Sequence, residues 1–221
     1  MMRKLNSAQP IIKHLAQHTI LVDRFLRDED RKQAMLVIKH LIRSRHLSEW
    51  HHDSGLRYWT LFSAKPLSDR SLACAFGRLS FWQENNARSA ISSDDIRNYF
   101  PQLFRHGLPK GYFVEQFQKQ ARLGYAKVDS CSRISRIVSR TLKMIDQHRS
   151  RSAFRELIDQ EQFAITWIVA TVAKQRRLIK AFRFIQASGI RLEVQVNTDL
   201  LDIIAPIPTP IKHPNHFPLW I

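Results

Sequence analysis

The sequence predicts an α/β protein with a small helical unit at its N-terminus, and three observations support this fold class. The chain has 221 residues and 44% of them are hydrophobic, which is enough for one large domain or two small ones with their own cores. The first half is dominated by helical periodicity. From about residue 104 onward, short apolar strands alternate with helices, as in an α/β layout.

The N-terminal segment predicts three helices followed by a hairpin. The helices are expected at residues 10–17, 19–26 and 30–45, and two short extended segments flank an Asp53-Ser54-Gly55 turn. This is the element order of a winged helix. We therefore predict a winged-helix-like, DNA-binding unit over residues 1–65.

The third predicted helix has two distinct faces. At about 100° per residue, Ala34, Ile38 and Leu41 fall on one stripe, while basic residues cluster on the opposite side. One face is therefore expected to pack against the core, and the other is free to meet phosphate. Leu36 and Met35 border the basic face.

A helix fits the major groove, where Lys and Arg reach phosphates and guanine edges, and a wing touches the neighbouring minor groove. The alternative interpretation is a charged helix face that is merely solvated. The residues predicted to contact DNA lie on the third helix and the hairpin: Arg31, Lys32, Lys39, Arg43, His51, His52 and Arg57.

The rest of the chain divides into three further segments. Residues 66–103 predict a helical connector with helices at 68–83 and 93–99, the second preceded by a Ser/Asp capping cluster. Residues 104–205 predict an α/β domain, and 206–221 a proline-rich tail. The expected elements of the α/β domain are strands 112–118, 121–129, 163–171 and 191–196, and helices 133–147, 153–159 and 174–187.

Strand 163–171 is apolar on both faces, as a central strand covered by helices would be. With the next helix and strand it predicts a βαβ crossover. Two helices of this domain also carry basic stripes, including Arg136, Arg140 and Lys143. These stripes predict either a second nucleic-acid surface or plain solvation.

The charge balance narrows the class of partner. There are 35 Lys and Arg residues against 19 Asp and Glu, a formal net charge of +16, so the chain attracts polyanions. No run of about 18 apolar residues and no signal peptide is found, so we expect a cytoplasmic protein without a membrane partner. Cys74 and Cys131 lie far apart with no CxxC or Cys/His ligand spacing, which argues against structural zinc and against a disulfide framework.

Most catalytic motifs are absent, including phosphate-binding glycine loops, HExxH and GxSxG, and no cofactor or metal is predicted. His213 and His216 lack a third ligand nearby. In metal-dependent nucleases, carboxylates on adjacent strands hold Mg²⁺ and a lysine positions the attacking water. Here Lys127 and Asp129 share a strand face, and Glu115 lies in the preceding strand. These three residues are the basis of the one nuclease hypothesis.

Two departures count against that nuclease. Pro109-Lys110 stands where a Pro-Asp pair is expected, and strand 163–171 has no acidic residue. We therefore predict a restriction-endonuclease-like domain that is catalytically degenerate, with a metal-dependent nicking nuclease or relaxase as the alternative.

The combination of segments resembles the replication-relaxation proteins of plasmids and integrative elements. The resemblance rests on the winged-helix start and on four later segments: ARLGYAKVD (121–129), FRELID (154–159), the strand 163–171 and LLDIIAP (200–206). It implies a protein of mobile DNA that binds duplex DNA and assists replication or conjugative mobilisation, beside a relaxase or replication protein. A homodimer is allowed, and a transcription regulator is the non-enzymatic rival.

Overall fold

The N-terminal segment builds two helices around a small antiparallel sheet. The computed structural model describes residues 7–26, 28–63, 65–103, 111–117, 120–185, 187 and 189–204. The first elements are α1 (Ala8–His18), β1 (Leu21–Val22), a 3₁₀ turn (Asp23–Phe25), α2 (Asp28–Arg43), β2 (Leu47–His51) and β3 (Arg57–Leu61). The strand order is β1-β3-β2, and both pairings are antiparallel.

The predicted helix at residues 19–26 is wrong. Thr19 has a φ of 76°, which ends α1, and the next residues form β1 and the 3₁₀ turn. Leu21 pairs with Trp59 and Val22 pairs with Tyr58 of β3. An eight-residue segment with three β-branched residues is too short to sustain a helix alone, so pairing with β3 decides its conformation.

The larger part of the chain folds around a five-stranded mixed sheet in the order β4-β5-β6-β7-β8. Its strands are β4 (Arg88–Ala90), β5 (Tyr112–Phe117), β6 (Gln120–Val128), β7 (Phe163–Val169) and β8 (Ile190–Val196). The pairings of β4 with β5 and of β5 with β6 are antiparallel, whereas β6, β7 and β8 run parallel. The molecule is therefore mixed α/β.

Helices cover both faces of this sheet. They are α3 (Asp69–Gln83), α4 (Ser93–Tyr99), α5 (Ile134–Arg149), α6 (Ser152–Asp159), α7 (Val172–Phe182) and α8 (Leu200–Ile204). One face packs against α5, α6 and α7 around Trp167 and Phe163, and the other packs against α3 and α8 around Phe113 and Ile168. We call these the α5 face and the α3 face.

Most predicted elements of the α/β part are present. All seven residues of β7 are buried. The strands β7 and β8 are parallel neighbours connected by α7, which is the predicted βαβ arrangement. Ser92 and Asp95 form the predicted capping box of α4. The predicted strand 163–171 is shorter, because Thr171 caps α7 by accepting a hydrogen bond from the Lys174 amide.

The segment predicted as a connector belongs to the larger sheet. The helix α3 packs against one face of the five-stranded sheet. The strand β4, which was not predicted from the sequence, pairs with β5 at the sheet edge. Ile20, Val22 and Tyr58 of the N-terminal segment are buried in the same cluster as Phe76 of α3, so the two parts share a core. None of the helices in the described part of the chain has the length and apolar character needed to span a bilayer.

Candidate nucleic-acid interface

The exposed side of α2 carries a continuous basic stripe. Ala34, Ile38 and Leu41 are buried against α1 and the small sheet, as predicted. At about 100° per residue, Lys32, Leu36, Lys39 and Arg43 fall within roughly 60° of one another on the opposite side, and all four are exposed. The stripe extends over about 16 Å. We call Lys32, Lys39 and Arg43 the α2 basic face.

The cations of the α2 basic face are available to an external partner. No described carboxylate lies within ion-pair distance of Lys32, Lys39 or Arg43. Leu36 is 64% exposed in the middle of the stripe. An exposed apolar side chain between cations is the type that contacts a thymine methyl group in the major groove.

Arg31 differs from these three residues because it has internal partners. Its Nη2 lies 2.8 Å from Oδ2 of Asp23, and its Nη1 lies 4.0 Å from Oδ1 of Asp28. The pair with Asp23 joins the start of α2 to the 3₁₀ turn. Arg31 therefore has a structural partner in addition to its predicted contact with DNA.

The hairpin cations are also held by contacts within the protein. Glu49 Oε1 lies 2.9 Å from Arg57 Nε in an ion pair and 3.1 Å from His51 Nε2, and its Oε2 accepts a hydrogen bond from Trp59 Nε1 at 3.3 Å. The guanidinium of Arg57 also lies 5.1 Å from the Trp59 ring centroid. Two of the three predicted DNA contacts on this hairpin, His51 and Arg57, thus lie against one carboxylate.

The turn of the hairpin lies against α3. His52 Nδ1 is 2.8 Å from Ser54 Oγ, and its Nε2 is 3.5 Å from Asp69 at the start of α3. Leu56 packs into the core cluster shared with α3. The hairpin is therefore braced by the α/β part of the molecule, whereas no described carboxylate pairs with Lys32, Lys39 or Arg43 of α2.

The nuclease candidate Glu115 is neutralised by arginines. It is 2% exposed on β5, and its carboxylate bonds Arg88 Nε at 2.8 Å, Asn85 Nδ2 at 3.2 Å and Arg122 of β6. Arg122 also reaches Glu193 at 3.1 Å on β8. Two guanidinium groups occupy the positions around this carboxylate where a metal ion would need to approach.

Lys127 and Asp129 do share a strand face, as predicted, but Asp129 has its own partners. Its carboxylate is paired with Lys174 of α7, and it accepts a hydrogen bond from the Ser132 amide at 2.8 Å. The Lys127 ammonium lies 5.5 Å from the Tyr125 ring centroid. These contacts stabilise the end of β6 and do not direct Lys127 towards Asp129.

The three nuclease candidates do not form one site. Glu115 pairs with Arg122 in the sheet register, and both lie on the α3 face, whereas Lys127 and Asp129 project to the α5 face because side chains alternate along a strand. Asp129 lies seven residues beyond Arg122, roughly 23 Å along the strand. Within the described residues, no group of three or more His, Cys, Asp or Glu side chains is arranged to hold a metal ion. Lys110 lies outside the described residues, as do His213 and His216.

The polar network around Glu115 was not predicted from the sequence. Arg88, Arg122, Glu193 and Gln195 join it across four strands, with Arg88 Nη1 donating to Gln195 Oε1 at 3.1 Å. One signal was present, since Glu193 and Gln195 alternate with apolar residues in β8. The partners themselves depend on which strands are neighbours, and that is not visible in a single strand.

Comparison with known proteins identified no relative of this chain. No protein-family model matches the chain, and neither a curated protein nor a solved structure is significantly similar to it. Inferences about function therefore depend on the chain's own charges and contacts.

Proposed function

We propose that this protein binds duplex DNA, with the α2 basic face in the major groove. The observation that carries the proposal is that the seven residues predicted to contact DNA differ in whether they have partners within the protein. Arg31, His51, His52 and Arg57 have internal partners, whereas Lys32, Lys39 and Arg43 are exposed on one stripe without a described carboxylate nearby. A solvated helix needs no such segregation.

Two further observations support this assignment. The order α1, β1, turn, α2, β2, β3 and the strand order β1-β3-β2 support the proposal of a winged-helix-like unit, with a 3₁₀ turn in place of its second helix. In helix-turn-helix proteins, the helix in the position of α2 is the one that enters the groove. The net charge of +16 adds a general attraction to phosphate.

We further propose that the α/β part is a restriction-endonuclease-like scaffold without nuclease activity. Its mixed sheet has helices on both faces, and the carboxylate on β5 is bonded to Arg88 and Arg122 rather than left open to a metal. By its resemblance to replication-relaxation proteins, the bound DNA would be an origin or transfer region of a mobile element. Absence of plasmid nicking in Mg²⁺ or Mn²⁺ is the expected result.

The proposal is tested by a triple variant, K32A/K39A/R43A. Fluorescence anisotropy would follow binding to a duplex from the DNA flanking the gene and to a scrambled duplex, over a salt series. We expect affinity to fall at least about tenfold, and the slope of log K against log salt to become shallower by about 3, since each phosphate contact contributes about 0.9.

The matched control is R155A/R176A/R177A, which removes three exposed cations from α6 and α7. It changes the net charge equally and leaves α2 intact. Wild-type affinity in the α2 variant, or equal losses in both variants, would refute a specific role for the α2 basic face. A preference for the native duplex that persists at high salt would indicate base or shape readout.

A further inference from the structure

A second basic site lies in a pocket at the end of the larger sheet. The pocket has a volume of about 280 Å³ and lies between the start of α3, the loop Ser130–Ser132 after β6, and α5. This is the carboxyl end of the parallel strand β6. In open α/β sheets, ligands bind in crevices at the carboxyl ends of strands.

Three guanidinium groups line this pocket. Arg136 and Arg140 are one turn apart on the same side of α5, and Arg70 is the second residue of α3. No described carboxylate forms an ion pair with any of the three. Like charges that share a pocket repel one another, so an anion that accepts hydrogen bonds from several of them would be strongly favoured.

The carboxylates near the pocket do not neutralise these arginines. Asp69 is the acidic residue in the described lining, and it lies 3.5 Å from His52 Nε2. Asp129, at the base of the loop, is paired with Lys174 and accepts the Ser132 amide. Because the lining holds three arginines and one carboxylate, the pocket keeps an excess of positive charge.

The loop Ser130–Ser132 contributes hydroxyl groups to the pocket beside the arginines. Ser130 and Ser132 line the pocket together with the exposed Cys131, whose φ of 71° gives the loop a sharp turn. Hydroxyl groups bind phosphate oxygens, and arginine binds phosphate through paired N–H donors. The volume lies just below the usual range for small-molecule sites, which favours a small ligand.

We infer that this pocket binds a phosphate ester of about the size of one nucleotide. The ester has two sources with the same chemistry, the phosphorylated end of a DNA strand and a free mononucleotide. The pocket uses no residue of the α2 basic face. The inference consequently stands even if duplex binding through α2 fails.

The test is calorimetric titration of the full chain with dTMP, with thymidine as the ligand that lacks the phosphate. We expect dTMP to bind and thymidine not to bind. The variant R136A/R140A should weaken dTMP binding at least tenfold. The control R155A/R177A removes two exposed cations outside the pocket and should bind dTMP as the wild type does, as should K32A/K39A/R43A.

A second titration distinguishes the two sources. A 5′-phosphorylated single-stranded oligonucleotide that binds at least tenfold more tightly than both dTMP and its 5′-hydroxyl form, and loses this advantage in R136A/R140A, identifies the strand end as the ligand. Equal affinities for dTMP and the phosphorylated oligonucleotide identify the free nucleotide.

A third measurement does not depend on any variant. Alkylation of Cys131 in the wild type, followed by peptide mass spectrometry, should slow when dTMP is present, while alkylation of Cys74 should not. Failure of both phosphorylated probes to bind, unchanged alkylation of Cys131, or equal weakening in R136A/R140A and the control would overturn the inference.

Discussion

At the scale of single residues, Gly124 shows how closely the larger sheet approaches α3. A Cβ at this position of β6 would lie 2.0 Å from Cζ of Phe113 on β5. The Phe113 ring is itself packed edge-on against Phe81 of α3, with ring centroids 5.0 Å apart. The ring therefore has little room to move, and only glycine fits opposite it.

We expect Gly124→Ala to lower the free energy of unfolding by about 1–3 kcal/mol, because it overpacks this part of the core. Urea denaturation would measure the change. Phe113→Leu in the same chain should recover part of the loss by making space. Gly55→Asn is the control, because that glycine has no atoms near its Cβ position and Asn tolerates its φ of +80°. Equal stability of Gly124→Ala and wild type would contradict the packing.

At the scale of elements, the β2–β3 hairpin is organised by one carboxylate. Burial raises the pKa of Glu49, but hydrogen bonds from Arg57, Trp59 and His51 outweigh that effect and leave the pKa below its ordinary value. Since the folded-state pKa is lowered, this carboxylate stabilises the fold at neutral pH, and the contribution is lost as the pH falls through its pKa. The hairpin cations are therefore partly committed to the fold.

Glu49→Gln should release Arg57 and His51 from this carboxylate. We expect a loss of about 1 kcal/mol in stability, measured by urea denaturation, and tighter binding to duplex DNA at low salt, measured by anisotropy. Glu156→Gln on α6 removes the same charge from an exposed site and serves as the control. If both variants bind DNA equally, the predicted contacts of His51 and Arg57 with DNA are ruled out.

At the scale of the whole molecule, two half-buried histidines lie where the N-terminal helix meets the α/β part. The rings of His14 and His18 on α1 are 4.3 Å apart, and His18 lies 5.0 Å from the ring of Trp82 on α3. Burial lowers the pKa of His14 to about 4 and that of His18 to about 3, and the positive charges of His14 and Arg78 lower His18 further. The junction is thus built for neutral histidines.

The protein should lose stability as the pH falls from about 6.5 towards 4. In this window the two histidines are protonated in the unfolded chain and neutral in the native protein. Each histidine therefore contributes up to about a tenfold change in the unfolding equilibrium per pH unit. Urea midpoints from pH 7.5 to 5.0 would show the slope. His18→Phe should make this slope shallower. Part of the slope should remain, because burial also lowers the pKa of His148.

His40→Gln, on the exposed side of α2, is the matched control and should leave the slope unchanged. A slope in His18→Phe as steep as in the wild type would show that the junction does not cause the acid sensitivity. Because the junction links the two parts of the molecule, its protonation would affect them together.

Much of the fold was readable from the sequence because its signals are local. The long helices α3 and α5, the capping box of α4, the buried strand β7 and the two faces of α2 follow from periodicity and capping within one segment. The exposure of Lys32, Lys39 and Arg43 followed from the same periodicity. The resemblance to replication-relaxation proteins remains a prediction.

The short elements and the partners of charged residues depended on distant parts of the chain. β1 and β4 exist because β3 and β5 pair with them, so the sequence of each alone did not predict a strand. Strand neighbours and register likewise put Glu115 beside Arg88 and Arg122, on the face of the sheet opposite Asp129. The sequence by itself determined the helices, the central strand and the basic face of α2, since these are set by side-chain spacing. Only the tertiary structure decided which charges are neutralised, because ion pairs form between residues that folding, and not sequence proximity, brings together.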